Sequence, residues 1–253
     1  MPPVVLVGVL LGLWEWASWQ WQVPEWLLPA PSRIVQAAVA SRWIMFPHIW
    51  QTMQETWLGL GLALLVGLIF AVLIDVSTPL RNAIYPLLVV SQTVPIIAIA
   101  PLLVIWFGYG ILPKILVVGL VCFFPIVVST ADGLRSADPD LIALLRTMGA
   151  SRYQIFVKVR VPGALPSFFS GIKIAVTYSV VGAIIGEWVG ASRGLGVFML
   201  RASNSFRTDW VFAAIGVISL LSIVLFLVVV VLERMTLRWY YSAAREEQWE
   251  EIR

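Results

Sequence analysis

Charged residues, cysteine and histidine are all scarce in this chain of 253 residues. Asp, Glu, Lys and Arg make up 12% of it, about half the share that soluble domains carry. Cys122 is the single cysteine and His48 the single histidine, which excludes an intrachain disulfide, a cysteine-based metal site and a histidine cluster. Hydrophobic residues instead account for 60% of the chain, and its mean hydropathy is +0.92. The chain is therefore predicted to be an all-α integral membrane protein.

Several chemical motifs are missing as well. The sequence contains no GxxxxGK(S/T) phosphate loop and no HExxH zinc motif, so it is not expected to bind ATP or a metal by these devices. Gly194-Leu-Gly196 is too short for a dinucleotide fingerprint. The net charge of +3 could suit nucleic acid, but most basic residues flank apolar runs, as the positive-inside bias predicts. We therefore predict no catalytic residue, metal or cofactor on this chain, and no nucleic-acid partner.

Six apolar runs have about the length that a membrane-spanning helix needs. They cover roughly Pro3–Trp19, Gln51 or Trp57 to Ile74, Ala83–Phe107, Leu112–Thr130, Phe168–Val189 and Val211–Leu232. We divide the chain into a first helix with an outer segment (1–50), a transmembrane core (51–233) and a charged C-terminal tail (234–253). Six spans place both termini on one side, and the basic run between Arg135 and Arg160 favours the cytoplasm for that side.

A more polar connection, about residues 20–50, separates the first two runs. Leu28-Pro-Ala-Pro-Ser32 is typical of a rigid turn in which Ser32 caps a short amphipathic helix. The tryptophans that crowd the end of the first run are predicted to anchor it at the membrane interface. The connection is predicted to lie along the outer surface, with His48 an ordinary surface or interface residue.

Small residues and prolines distinguish the second and third runs. A small residue recurs every four positions in the second run, which predicts a face for close helix packing: Gly59, Ala63, Gly67 and Ala71. Three prolines interrupt the third run, and broken helices often line translocation pathways. The candidate pathway residues are Ser91, Gln92, Thr93, Pro95 and Glu187. The alternatives are kinked packing with interhelical hydrogen bonds from Gln92, and snorkelling of Glu187 and Lys173 to the interface.

Residues 138–162 form the one stretch that is both basic and amphipathic. Asp138 and Pro139 suit the start of a helix and Gly149 its end. Ser151 can cap a second short helix, which Pro162 is predicted to end. The stretch is therefore predicted to be a helix–turn–helix at the membrane surface. It is either a loop that contacts lipid or a docking element for a soluble protein.

This stretch resembles the cytoplasmic coupling loop of permease subunits of bacterial ATP-binding-cassette (ABC) importers. In that family Glu-Ala-Ala is followed after three residues by Gly and after nine more by Ile-x-Leu-Pro. Here Gly149 and Val159-Arg-Val-Pro162 match, whereas Ala143-Leu-Leu145 stands where Glu-Ala-Ala is expected. Three further stretches resemble the nitrate, sulfonate and taurine branch, which also includes permeases for bicarbonate, thiamine-pyrimidine precursors and riboflavin: Leu28–Ser32, Pro95–Gly110 and Gly186–Gly196.

The resemblance implies a type I importer permease fold in a bacterial inner membrane, with a cytoplasmic coupling helix at about Asp138–Ser151. It implies a pathway formed by two permease copies, with a homodimer expected. It also implies cytoplasmic ATPases that carry ATP and Mg²⁺, and an extracytoplasmic binding protein that delivers a small solute. The residues that it assigns to ATPase coupling are Asp138, Leu141, Leu144, Leu145, Arg146, Met148, Gly149, Ala150, Ser151, Arg152 and Pro162.

Two other classes of protein compete with this interpretation. A stand-alone secondary transporter or channel usually carries intramembrane charges for ion coupling, and the centres of the predicted spans have few. A membrane enzyme would need a catalytic constellation that the sequence lacks. The low polarity of the spans favours a neutral or aromatic solute, such as a vitamin precursor, over nitrate. Arg193, Arg201 and Arg207, predicted to lie outside, suit an anionic solute, contacts with the binding protein, or ordinary loop charges.

Overall fold

The computed structural model describes residues 3–240, which form helices joined by short turns. In chain order the helices are α1 Pro3–Gln20, α2 Pro31–Val76, α3 Thr78–Ser91, α4 Ile96–Phe107, α5 Leu112–Arg135, α6 Pro139–Thr147, α7 Arg152–Ile155, α8 Val161–Trp188, α9 Leu195–Asn204 and α10 Thr208–Thr236. A π-helical segment, Phe156–Arg160, joins α7 to α8. The part of the predicted tail beyond residue 240 lies outside the described residues.

Four helical stretches within residues 3–240 are long and apolar enough to cross a membrane: 31–76, 112–135, 152–188 and 208–236. Helices α3 and α4 form a further apolar pair that is bent by 100°. Helix α1 is apolar but shorter. Each of the six predicted runs coincides with one of these stretches, and the all-α membrane fold is confirmed.

Helix α5 packs between α2 and α8 and forms the centre of the bundle. Its contact with α2 depends on the small residues of α2, because a Cβ atom at Gly67 would lie 2.9 Å from Ile126 Cγ2, and one at Gly59 would overlap Val118. Ala63 and Ala71 are buried on the same face. The predicted small-residue packing face is therefore confirmed.

The connection before the second run is folded differently from the prediction. Helix α2 begins at Pro31 and is continuous to Val76, a length of about 69 Å at 1.5 Å per residue. Its N-cap is Ala30, so the predicted Ser32 cap is wrong. Ser32 instead donates from its amide and its hydroxyl to the Glu15 carboxylate, at 2.9 and 2.7 Å, and so ties α1 to α2.

Two other segments also depart from the sequence-based expectation. Only Pro95 lies at the break between α3 and α4, whereas Pro86 and Pro101 are accommodated inside helices. The glycine-rich connection after the fifth run contains a helix of its own, α9, which no periodicity had indicated. The divisions proposed at 50/51 and 233/234 fall within α2 and α10.

Candidate functional site

The stretch 138–162 starts as the helix–turn–helix that its capping residues predict. The Asp138 carboxylate accepts from the Asp140 amide at 2.8 Å and caps α6. Gly149 ends the helix with φ of +83°, and the Ala150 amide donates to the Leu145 carbonyl at 2.9 Å. Ser151 then starts α7 through a capping box with Gln154. These contacts confirm the predicted helix start, turn and second cap.

Helix α6 has two faces with different environments. Ile142 is buried against the bundle. Leu141, Leu144 and Met148, spaced at i, i+3 and i+7, are 41%, 57% and 74% exposed. Leu145 is half-buried, while Arg146 and Arg152 are exposed. This face of α6 therefore presents large apolar side chains that residues 3–240 do not cover.

Pro162 does not end the second helix, and this prediction is wrong. The chain continues through the π-helical segment into α8 without a break, so that residues 152–188 form one helical stretch. A proline inside an α-helix removes one hydrogen bond and clashes with the carbonyl four residues earlier. Pro162 lies in the first turn of α8, next to the π-helical segment. In a π-helical turn the amides bond to carbonyls five residues earlier, so the carbonyl four residues before Pro162 is displaced and the clash is relieved. The stretch 138–162 is thus continuous with a core helix.

Three of the candidate pathway residues, Ser91, Gln92 and Pro95, line an open cavity of about 880 Å³ beside α3, α4, α5 and α8. Its lining also includes Ser129 and Tyr178. None of the lining residues carries a charge. Gln92 makes no side-chain hydrogen bond to residues 3–240, so the alternative of an interhelical bond from Gln92 is not what the structure shows. Thr93 is exposed at the bend and bonds only to the Val90 carbonyl.

Glu187 lies elsewhere, in a buried polar cluster at the end of α8. Its side chain is 1% exposed, so it does not snorkel to the interface. Its two carboxylate oxygens accept from the Thr52 hydroxyl and from the Gly196 amide, each at 2.5 Å. The Leu195 amide donates to the Thr52 hydroxyl at 2.9 Å. The carboxylate therefore binds one amide of α9, and the Thr52 hydroxyl binds the amide before it, so that α2, α8 and α9 are joined.

His48 belongs to the same cluster and is buried, so its assignment as a surface residue is wrong. Its Nδ1 lies 2.7 Å from the carbonyl oxygen and 3.0 Å from the amide nitrogen of Gly194, and the tautomer decides which of them it bonds. A Cβ at Gly194 would overlap the Glu187 carboxylate, and φ there is +132°. Gly194 is required because backbone and carboxylate approach so closely.

More buried charge surrounds this cluster than the sequence suggested. Glu55 of α2 is fully buried and lies 3.2 Å from the Lys114 ammonium of α5. Near the other end of α8, the partly exposed Lys173 forms a 2.9 Å ion pair with Glu233 of α10. Buried charges are retained in membrane proteins where they are paired.

Sequence reasoning missed the polar cluster because its members come from separate runs. A local signal did exist, since His48, Thr52 and Glu55 recur at i, i+4 and i+7 on α2. That spacing places a polar stripe on one face of an otherwise apolar helix. Their partners on α8 and at the start of α9 lie more than a hundred residues away in the chain, and no local pattern points to them.

Comparisons with known proteins agree with this architecture. The family described as binding-protein-dependent transport system inner membrane component matches residues 63–238. The chain is 40% identical over 240 residues to the formylaminopyrimidine transport permease protein ThiX of Halalkalibacterium halodurans, covering 94% of this chain and 96% of that protein. It is 38% identical over 226 residues to a probable ABC transporter permease protein of Haemophilus influenzae, covering 89% and 92%.

A more distant relative is the taurine transport system permease protein TauC of Escherichia coli, 29% identical over 241 residues, 92% of this chain and 88% of that protein. Among solved structures, the fold is similar to that of the inward-facing MetNI methionine ABC transporter. The TM-score is 0.68 at 20% identity, and the match covers 78% of this chain and 97% of that one.

The chain therefore belongs to the family of binding-protein-dependent transport system inner membrane components. It is a multi-pass inner-membrane permease subunit of an ABC importer, and ATP is hydrolysed on partner ATPase subunits and not on this chain. This membership decides against the stand-alone transporter, the channel and the membrane enzyme.

Proposed function

We propose that two copies of this chain form the pathway of an importer for a small, uncharged heteroaromatic solute. The observation that carries the solute class is the cavity beside α3, α4, α5 and α8, whose lining residues include no charge. A sulfonate or nitrate ion would lose its hydration there without meeting a cation. A planar neutral ring would gain apolar contact, and Gln92, Ser129 and Tyr178 offer it hydrogen bonds.

The relatives support the same class of solute. The relative at 40% identity is named for formylaminopyrimidine transport, whereas the one at 29% is named for taurine, a sulfonate. The cavity is only partly enclosed by this chain. A second copy of the chain, closing the rest, would enclose the solute, which is why we propose a homodimer.

The ATPase docks, in this proposal, on the coupling stretch 138–162. The ATPase would contact the exposed apolar face of this stretch, which consists of Leu141, Leu144 and Met148. These apolar contacts would replace the contact made by the glutamate that the resembling family carries at the position of Ala143. The termini and this stretch would lie in the cytoplasm, as the basic residues favour. The binding protein would dock at the opposite end of α8, about 42 Å away along its 28 residues.

Paired substitutions on α6 test the docking surface. Glutamate at Leu144 places a charge in the proposed contact, and we expect the affinity for the ATPase to fall by about tenfold or more, as at the centre of an interface. Glutamate at the neighbouring, exposed Ala143 restores the acid of the resembling family and should leave the affinity equal or higher. Co-purification and titration of the ATPase measure both. Equal affinities for Leu144→Glu and wild type would refute the docking surface.

Uptake into proteoliposomes tests the solute. The complex, supplied with a binding protein loaded with either formylaminopyrimidine or taurine, is expected to take up the pyrimidine. Tyr178→Phe should lower that uptake by about tenfold through the loss of one hydrogen bond in the pathway. Tyr85→Phe is the control, since Tyr85 is on α3 but does not line the cavity. Preferential uptake of taurine would overturn the solute class while leaving the docking surface untouched.

A further inference from the structure

A second cavity, of about 410 Å³, lies between α6 and the ends of the membrane helices. We call it the arginine cleft, because its charged lining consists of Arg81, Arg135, Arg146, Arg160 and a single acid, Asp75. Arg160 Nη1 binds both carboxylate oxygens of Asp75, at 2.9 and 3.0 Å. One acid therefore neutralises one arginine, and three positive charges remain around the cleft.

Those three arginines have no partner of their own in the described chain. The guanidinium groups of Arg81, Arg135 and Arg146 make no ion pair or hydrogen bond with residues 3–240. A guanidinium carries five N–H donors in a planar fork that matches the oxygens of a phosphate. Three like charges around one cleft repel one another unless an anion joins them. The cleft thus has the charge and the donors of an anion site that residues 3–240 do not fill.

The arginine cleft and the proposed ATPase contact lie on different faces of α6. Arg146 follows Ile142 by one helical turn, and both line the cleft together with Pro139. Leu144 and Met148 are exposed and are not among the cleft residues. The cleft therefore lies between the coupling helix and the bundle, on the side away from the docking surface.

The location of the cleft relates it to the membrane surface. Asp75 lies at the last turn of α2, Arg81 in the first turns of α3 and Arg135 at the last residue of α5. Each of these positions lies at an end of an apolar helix, and the ends of membrane-spanning helices are where a chain meets the lipid headgroups. Basic pockets between helices on the cytoplasmic side bind anionic headgroups.

We infer that the arginine cleft binds the phosphate of an anionic phospholipid headgroup, and that this lipid bridges the coupling helix to the ends of α3 and α5. The inference depends on the proposed cytoplasmic placement only for the choice of leaflet. The bound phosphate accepts from Arg81, Arg135 and Arg146, whose charges it neutralises. The lipid thereby holds α6 against the bundle from the side opposite the ATPase.

Native mass spectrometry of the purified permease–ATPase complex tests the inference, with phosphatidylglycerol and phosphatidylcholine as probes. We expect phosphatidylglycerol to bind at least about tenfold more tightly. Arg81→Gln and Arg135→Gln should each weaken it by about fivefold, the effect of one basic residue near an anionic lipid surface. Arg234→Gln is the matched control, because Arg234 is exposed at the end of α10 and does not line the cleft.

A second measurement uses only the wild-type complex and so does not depend on whether the variants fold. A photoreactive phosphatidylglycerol should label peptides that contain residues 75–81 and 131–146. Equal affinity for the two lipids, equal effects of Arg135→Gln and Arg234→Gln, or labelling confined to other peptides would overturn the inference. Binding of inorganic phosphate without a preference for phosphatidylglycerol would reassign the cleft to a free anion. If binding of the ATPase released the bound phosphatidylglycerol, the cleft would be part of the contact with the ATPase, and the lipid assignment would be refuted. None of these measurements needs solute or ATP. A negative result for lipid binding can therefore be distinguished from a failure of the proposed transport function.

Discussion

The Thr52 hydroxyl on α2 donates a 2.5 Å hydrogen bond to the Glu187 carboxylate on α8 and accepts a 2.9 Å bond from the Leu195 amide of α9. One hydroxyl thus joins three helices. Valine has the same shape without the hydroxyl, so Thr52→Val leaves two buried polar groups unpaired, each at a cost of about 1–3 kcal/mol. We expect a lower midpoint of thermal unfolding and faster hydrogen exchange of the amides at 194–196, measured by mass spectrometry.

Thr56 provides the matched control for this prediction. It lies one turn further along α2, is as fully buried as Thr52, and donates only to the Thr52 carbonyl, at 2.7 Å. Thr56→Val should therefore change the unfolding midpoint little and leave the exchange at 194–196 as in the wild type. If the two valine variants behaved alike, Thr52 would contribute packing and not the bridge between α2, α8 and α9.

Gly149 forms the turn between α6 and α7. Its φ of +83° disfavours any residue with a Cβ, at about 1–2 kcal/mol, while a Cβ there would meet no atom within 4 Å. Gly149→Ala should therefore act through backbone strain alone. It should tilt α6 away from its capped geometry and lower the affinity for the ATPase by about five- to thirtyfold, the equivalent of that strain energy. Titration of the ATPase against the purified permease measures the effect.

Gly163 serves as its control, since it lies in α8 and also has open space where a Cβ would be. Alanine favours a helix over glycine by about 0.5–1 kcal/mol, so Gly163→Ala should keep or raise the stability and leave ATPase affinity unchanged. A loss of affinity as large in Gly163→Ala as in Gly149→Ala would show that the turn geometry is not what matters.

The parts of this fold that sequence could predict are those fixed by neighbours in the chain. The caps at Asp138 and Ser151 and the turn at Gly149 each need only contacts within a few residues, and all three are confirmed. The small-residue face of α2 was also predictable, because a four-residue period is a property of one helix. The membrane class followed from composition alone.

The predictions that proved wrong concern residues whose environment is not fixed by their neighbours in the chain. Pro162 was expected to end a helix by a local rule, yet the π-helical turn before it removes the conflict. His48 and Glu187 looked like boundary residues by their position in the sequence, and they are buried because a backbone segment that follows the fifth run folds onto both of them. Hydrophobic periodicity shows only which face of its own helix a residue occupies, so it cannot predict such contacts between distant segments.

The close approach of α2 to α5 gives a prediction about folding. A Cβ at Gly67 would lie 2.9 Å from Ile126 Cγ2 and 3.6 Å from Val127 Cγ2. Gly67→Leu inserts four carbons into this contact, and overpacking of this kind costs about 1–3 kcal/mol or separates the helices. We expect a clear fall in the midpoint of thermal unfolding of the purified permease and a lower yield of folded protein.

Gly61 offers the comparison, because it is on the same helix, is exposed, and would have no atom within 4 Å of a Cβ. Gly61→Leu adds the same side chain to the lipid-facing side, where leucine is well solvated by lipid and has the better helix propensity. It should leave the unfolding midpoint unchanged or raise it. Both variants replace a glycine of α2 with leucine, so a difference between their unfolding midpoints reports the packing of α2 against α5. Equal destabilisation would mean that glycine flexibility, and not close packing, explains the small residues of this helix.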